Sequence, residues 1–189
     1  ILFYGEGMDN WNKDSETTLN LYSNKSYYYI NTQGVNGKRM ATMNQPSGTA
    51  NLSVTTFNDY QYHELDKINI VKLGRRWFGE QFDFNNIQSF DFTIPNIVPS
   101  SNIELNIYAA AASFTATNFE VKANNQKAGT ITFSKISEYV LATASTLKTT
   151  IPASEKVNIL LTYNNNGVPD SKGYLDYIFL KSLRELKGY

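Results

Sequence analysis

The chain has 189 residues, of which 41% are hydrophobic and 14% are aromatic. It is therefore long enough and apolar enough to form one packed domain, with or without a small accessory unit. The 17 basic and 17 acidic residues cancel, which argues against a nucleic-acid-binding protein, because phosphate binding requires a basic excess.

Cysteine is absent, and the single histidine is His63. The chain therefore has no disulfide, thiolate metal site or cysteine nucleophile of its own, and no histidine-rich metal site. No apolar run has the length needed to cross a bilayer. The sequence starts at Ile1 with a strand-like run and without a signal peptide, so we expect it to be a piece of a longer polypeptide.

Residues 1–74 are predicted to form a small tyrosine-rich β unit. Short strand candidates follow one another here, and the strongest β propensity lies at Tyr27–Ile30. Asn36-Gly37 is a good hairpin turn, since both residues tolerate positive φ, so its flanking segments are expected to pair. Leu52–Tyr62 carries a further strand pattern.

The period of the pattern changes near residues 64–73. Leu65, Ile68 and Lys72 align at helical spacing and Gly74 can end a helix, so we predict a short helix there. The alternative is an extended segment in which Ile68 and Ile70 alternate with polar residues.

Residues 75–189 are predicted to form a jelly-roll β-sandwich. Apolar and polar residues alternate in segments separated by polar turns, such as Asn124-Asn125, and no helical crossovers lie between them. The fold class is therefore mostly β: an antiparallel jelly-roll-like β-sandwich with a small N-terminal β unit. The predicted strands lie around Phe90–Ile94, Ile103–Ala109, Phe119–Val121, Ile131–Phe133, Tyr139–Thr150, Val157–Tyr163 and Tyr174–Leu183.

The joint between these two parts contains the only adjacent arginine pair, Arg75-Arg76, followed by Trp77 and Glu80. Guanidinium groups match carboxylates and anionic sugars bidentately, so this group is a candidate binding site. The alternative, which we favour, is structural: one arginine pairs with Glu80, while Trp77 and Phe78 are buried at the joint.

Trp11 is a further candidate, because an aromatic ring with nearby tyrosines can stack on a sugar. Packing against a neighbouring domain explains the same residue, and we favour that interpretation. Asp176 lies in an otherwise apolar strand, where a carboxylate needs partners; we expect it to bond backbone amides or an arginine rather than a metal.

Two other groups are weaker candidates. His63 and Glu64 could form an acid–base pair, but without a nucleophile we interpret His63 as a surface histidine. The loop at residues 164–170 offers oxygen ligands that suit Ca²⁺, although its spacing is not that of an EF-hand. We predict no cofactor and no metal site.

Three motifs, in order, resemble the non-catalytic region that precedes the peptidase domain of gingipain-like cysteine peptidases. The resemblance is closest to the PorU-type sortases of the Bacteroidetes type IX secretion system. The motifs are Ile1-Leu2-Phe3-Tyr4-Gly5-Glu6-Gly7 with Trp11 beyond it, Gly74-Arg75-Arg76-Trp77-Phe78-Gly79-Glu80, and Tyr174-Leu175-Asp176-Tyr177-Ile178 with Arg184-Glu185-Leu186.

This resemblance implies a cell-surface, outer-membrane-associated endopeptidase that removes the C-terminal secretion signal of cargo proteins. Its catalytic cysteine and histidine belong to a downstream domain, so none of them can be assigned here. The chain would then be an accessory domain whose partners are that catalytic domain, secreted cargo or other secretion components.

Two other functions follow from the same sequence. One is a carbohydrate-binding module with a galactose-binding-like jelly roll, which requires two or more aromatic rings exposed along one face, or a tryptophan beside Arg and Asp. The other is a free-standing hydrolase, which requires a pair of carboxylates in a cleft; nothing in the spacing points to such a pair.

Overall fold

The computed structural model describes residues 27–31, 33–36, 41–45, 47–74 and 76–187. In these ranges the regular structure consists of nine β-strands and no helix. The strands are β1 (Thr56–Glu64), β2 (Gln81–Phe82), β3 (Ile87–Thr93), β4 (Asn102–Ala112), β5 (Thr117–Ala123), β6 (Gln126–Phe133), β7 (Thr143–Pro152), β8 (Lys156–Asn164) and β9 (Lys172–Glu185).

The strands form two antiparallel sheets that pack into a sandwich. The five-stranded sheet has the order β1-β9-β4-β7, with the short β2 paired to β9. The four-stranded sheet has the order β3-β8-β5-β6. This confirms the predicted mostly-β fold class of an antiparallel, jelly-roll-like sandwich.

The core lies between the two sheets and is built by alternation along the strands. In β4 every second residue from Ile103 to Ala111 is buried, and in β8 the same holds from Val157 to Tyr163. Side chains in a strand point alternately to opposite faces, so the other residues of β4 and β9 lie on the outer face of the five-stranded sheet.

The predicted turn at Asn124-Asn125 joins β5 to β6. Asn124 and Asn125 both have positive φ, at 48° and 66°. Two successive residues with positive φ match the twist of a tight hairpin, and asparagine tolerates this region better than most residues.

The predicted helix at residues 64–73 is wrong. β1 continues to Glu64, and the described residues 70–74 form turns and bends instead of a helix. Ile68 and Phe78 form an antiparallel bridge, in which each amide donates to the other residue's carbonyl at 2.8 Å. A ten-residue helix is marginal by itself, whereas the bridge gives the backbone groups of Ile68 and Phe78 partners.

The sandwich also begins earlier than the predicted boundary at residues 74/75. β1 pairs with β9 along its whole length, from Thr56 with Glu185 to Glu64 with Tyr177. It is therefore part of the sandwich and not of a preceding unit. The described residues between 27 and 55 form no helix or strand, and the hairpin at Asn36-Gly37 extends outside the described residues. The N-terminal β unit stays a prediction.

β7 starts later than predicted, at Thr143 instead of Tyr139. Tyr139, Val140 and Leu141 lie in the loop before it, and their side chains are exposed. The three consecutive large apolar residues suggested a strand by propensity, but they lack the alternation that a half-buried strand requires.

Gly173 lies where the two sheets approach each other closely. A Cβ atom at this position would lie 2.6 Å from Cζ of Phe119 and 2.8 Å from Cδ2 of Tyr163, and both of these rings are fully buried. The packing of these rings against β9 therefore depends on the missing side chain.

We predict that Gly173→Ala lowers the free energy of unfolding by about 1–3 kcal/mol, because the overpacked rings must shift. Urea unfolding followed by circular dichroism measures this loss. Gly48→Ala is the control, since no atom lies within 4 Å of a Cβ there. Equal stability of the two variants would contradict this account of the core.

Candidate functional site

The segment from Leu65 to Glu80 lies against the five-stranded sheet and joins β1 to β2. Phe78 is 5% exposed and packs on Ala110 and Tyr174 of the outer face, with its ring centroid 6.0 Å from that of Tyr174. A Cβ on Gly79 would lie 2.9 Å from the Leu65 carbonyl oxygen, so the backbone at Leu65 can approach residue 79 this closely only because residue 79 is a glycine. Phe78 is thus the buried anchor of the segment.

Backbone hydrogen bonds tie the same segment to β9. The Gly79 amide donates to the Leu175 carbonyl at 2.8 Å, and the Leu175 amide donates to the Glu80 carbonyl at 3.0 Å. β2 continues this pairing, with Gln81 opposite Tyr174. The motif at residues 74–80 and the motif at residues 174–178 are therefore neighbours in space.

Arg76 forms an ion pair with Asp176, and their Nη1 and Oδ2 atoms are 2.5 Å apart. Asp176 lies at a β-bulge: Tyr177 pairs with Tyr108 and Leu175 pairs with Ala109, so Asp176 has no partner in β4. A bulge redirects a side chain, and here the carboxylate is buried. The expectation that Asp176 bonds an arginine is confirmed.

The surroundings of this pair are aromatic. The Arg76 guanidinium lies 4.6 Å from the ring centroid of Tyr108, and Tyr108 stacks on Tyr177 at 5.9 Å. Burial raises the pKa of Asp176 to about 7; the hydrogen bond and charge of Arg76 lower it in part, and Glu64 and Asp66 raise it further. A carboxyl group is therefore held at its titration point near neutral pH.

Among the described residues, Glu80 pairs with no arginine, since Arg76 bonds Asp176; Arg75 lies outside the described residues, so a pair between Arg75 and Glu80 stays a prediction. Oε1 of Glu80 lies 3.0 Å from Nε2 of His63, and the His63 ring contacts Phe90 at a centroid distance of 4.8 Å. His63 is half-buried rather than a surface residue. It points away from Glu64, because adjacent residues in a strand face opposite sides, so the hypothesis of an acid–base pair with Glu64 is wrong.

Of the other predicted site residues, Trp77 alone lies in the described part of the chain. Trp77 is 37% exposed, whereas Phe78 is buried, because successive residues of an extended segment point in opposite directions. The prediction that both are buried is therefore right for Phe78 and wrong for Trp77. Trp11 and Arg75 lie outside the described residues, so their roles stay predictions.

The loop at residues 164–170 uses its amide oxygens internally. Oδ1 of Asn164 accepts a hydrogen bond from the Asn166 amide, and Oδ1 of Asn165 accepts one from the Gly167 amide. In the part of the chain that the structure describes, no three His, Asp or Glu side chains come together in a way that could hold a metal ion. No helix in this part is long and apolar enough to cross a membrane.

A groove of about 420 Å³, which we call the apolar groove, opens beside Arg76. Its floor is Tyr108, Ala110 and Ala144; one wall comes from the 65–80 segment and the other from the loop before β7. Large apolar side chains stand exposed on its rim, including Leu73 at 73% and Tyr139 at 93%. Sequence analysis missed this groove, although the non-alternating run Tyr139-Val140-Leu141 was a visible signal.

No protein-family model matches the chain, and no curated protein sequence matches it. Solved structures do. The dimeric latent PorU from Porphyromonas gingivalis superposes with a TM-score of 0.62 and 17% identity, covering 73% of this chain and 14% of that chain. This chain therefore has a β-sandwich similar in fold to a small part of PorU.

Two carbohydrate-binding modules superpose more loosely. The module CBM36 in complex with calcium and xylotriose gives a TM-score of 0.41 at 12% identity, over 67% of this chain and 99% of that one. The CBM36-1 domain of a multidomain xylanase from the hindgut metagenome of Trinervitermes trinervoides gives 0.42 at 11% identity, over 65% and 96%. Superpositions this loose carry no functional argument.

The buried carboxyl group predicts a pH dependence of stability. Its pKa is raised in the folded state, so the folded state binds more protons than the unfolded state between pH 4 and 7. Asp176 therefore favours folding most at low pH, and this contribution is lost as the pH rises to 7, by up to ~1.4 kcal/mol per pH unit.

We predict that Asp176→Asn flattens the fall in unfolding free energy between pH 4.5 and 7, measured by urea unfolding at several pH values. Asp170→Asn, at an exposed position, serves as the control and keeps the wild-type slope. A wild-type slope in Asp176→Asn would show that this carboxyl group titrates normally.

Proposed function

We propose that this chain is a non-catalytic accessory domain of a cell-surface, gingipain-like cysteine peptidase that acts as a sortase in type IX secretion. The observation that carries this proposal is the superposition on a small part of PorU. It agrees with the motif resemblance at residues 74–80 and 174–178, which the fold brings side by side. The catalytic cysteine and histidine belong outside this chain in this proposal.

The domain's role in this proposal is docking, through the apolar groove. Exposed apolar side chains concentrated around one groove are typical of interaction sites, because a free surface rarely keeps them together. Leu73 and Tyr139 come from its two walls and are both exposed, and Arg76 also lines the groove. The partner is the downstream catalytic domain of the same polypeptide, with secreted cargo or other secretion components as alternatives.

The main alternative is a carbohydrate-binding module. Arg76, Asp176 and Trp77 do lie close in the chain's fold, but Arg76 and Asp176 bond each other and Phe78 is buried at the joint. These contacts favour docking at this site. A carbohydrate-binding module could also use aromatic rings exposed along one face. Such rings, Tyr60 and Tyr62, lie on the same sheet but outside the apolar groove.

We predict that Leu73→Glu and Tyr139→Glu each weaken docking at least about tenfold, because losing one buried apolar side chain removes about 1.5–3 kcal/mol. The measurement is a pull-down from the cell-envelope fraction of the source organism, with the purified domain as bait and mass spectrometry as readout. The expected captured protein is a polypeptide that carries a gingipain-like peptidase domain.

Phe84→Glu is the matched control, since Phe84 is a fully exposed aromatic residue outside the groove. It should capture the same protein as the wild type. Capture that is insensitive to Leu73→Glu and Tyr139→Glu, or equally sensitive to Phe84→Glu, would contradict docking at the groove. Recovery of polysaccharide alone would contradict the accessory role.

A further inference from the structure

The outer face of the five-stranded sheet carries two rows of side chains beyond the apolar groove. The strand registers align residues across β1, β9, β4 and β7, so that each row crosses the whole sheet. One row is Tyr62, Phe179, Asn106 and Lys148; the next is Tyr60, Lys181, Glu104 and Thr150.

The aromatic half of these rows lies on β1 and β9. Tyr60 and Tyr62 are 40% and 39% exposed, and the Tyr60 ring stacks on Phe179 with a centroid distance of 6.0 Å and an interplanar angle of 21°. Three aromatic rings therefore share one exposed face. This meets the requirement for sugar binding set out from the sequence.

The polar half forms a cleft of about 510 Å³ next to these rings, lined by Glu104, Asn106, Lys148, Thr150 and Phe179. The Glu104 carboxylate accepts a hydrogen bond from Lys181 at 2.8 Å. Oδ1 of Asn106 is buried and has no hydrogen-bond partner among the described residues, an arrangement that costs about 1–3 kcal/mol. The cleft thus combines an apolar ring surface with an unsatisfied acceptor.

A pyranose matches this combination, because it has flat C–H faces and a rim of hydroxyl groups. Its faces can pack on the aromatic rings, and one hydroxyl can donate to Asn106 after a small rotation of the amide. An apolar protein surface would instead bury the Asn106 acceptor without a partner. A peptide strand would add to a sheet edge, whereas these rows lie on a face.

We propose that this cleft binds a polysaccharide chain. Sugar rings lie on Tyr60, Tyr62 and Phe179, and hydroxyl groups donate to Asn106 and Glu104 and accept from Lys148. The inference does not rest on the docking role, since the cleft and the apolar groove have no lining residue in common.

The test is affinity gel electrophoresis of the purified domain in gels that contain arabinoxylan, mixed-linkage β-glucan, galactomannan or dextran. At least one of these polysaccharides should retard the wild type. Tyr62→Ala and Asn106→Ala should each weaken that binding about tenfold, while Tyr62→Phe, which keeps the ring, should stay within about twofold.

Tyr139→Ala is the matched control, because Tyr139 is an exposed tyrosine on the apolar groove and not in the cleft. It should bind polysaccharide like the wild type. Circular dichroism verifies that each variant is folded, and Tyr62→Ala tests the proposal even where Asn106→Ala does not fold. Absence of retardation by all four polysaccharides, or equal losses in Tyr62→Ala and Tyr139→Ala, would overturn the proposal.

Discussion

The contact between Arg76 and Asp176 is the constraint on which the outer face depends. A carboxylate without a partner would be costly at this buried position, and the bulge in β9 leaves Asp176 without a facing residue in β4. Arg76 supplies the partner from a segment 100 residues earlier. The pair therefore fixes where the 65–80 segment lies on the sheet, and this segment forms one wall of the apolar groove.

The position of this segment divides the outer face into two surfaces of different chemistry. On one side, the short side chains Ala110 and Ala144 leave room for a groove that is mostly apolar. On the other side, the rows through Asn106 and Glu104 keep polar groups beside aromatic rings. Tyr108 lies between them and is covered by Arg76. A docking role and a sugar-binding role are therefore compatible within one sheet.

Alternation predicted most of the sandwich, because β4, β5 and β8 each bury every second residue and their pattern is local. The turn at Asn124-Asn125 was predicted in the same way, as the polar pair at which the alternation ends. Partners distant in the sequence were not predictable: the pairing of β1 with β9 joins residues that are more than a hundred positions apart. The predicted domain boundary at residues 74/75 therefore assigned β1 to the N-terminal unit, although β1 belongs to the sandwich.

The candidate site shows the same limit. Sequence analysis expected Asp176 to bond an arginine, and it expected one arginine of the Arg75-Arg76 pair to bond Glu80. In the structure, the Glu80 carboxylate contacts His63. The helix predicted at residues 64–73 failed because the backbone groups of Ile68 find partners in Phe78, and no local periodicity shows that.

The most direct test of this account is amide hydrogen exchange in Arg76→Met. If the ion pair holds the 65–80 segment in place, the amides of Ile68 and Phe78 should exchange at least about tenfold faster than in the wild type. The amide of Ile107, in the centre of the sheet, should keep its wild-type rate. Unchanged exchange at Ile68 and Phe78 would contradict the central role of the pair, since Phe78 packing alone would then hold the segment.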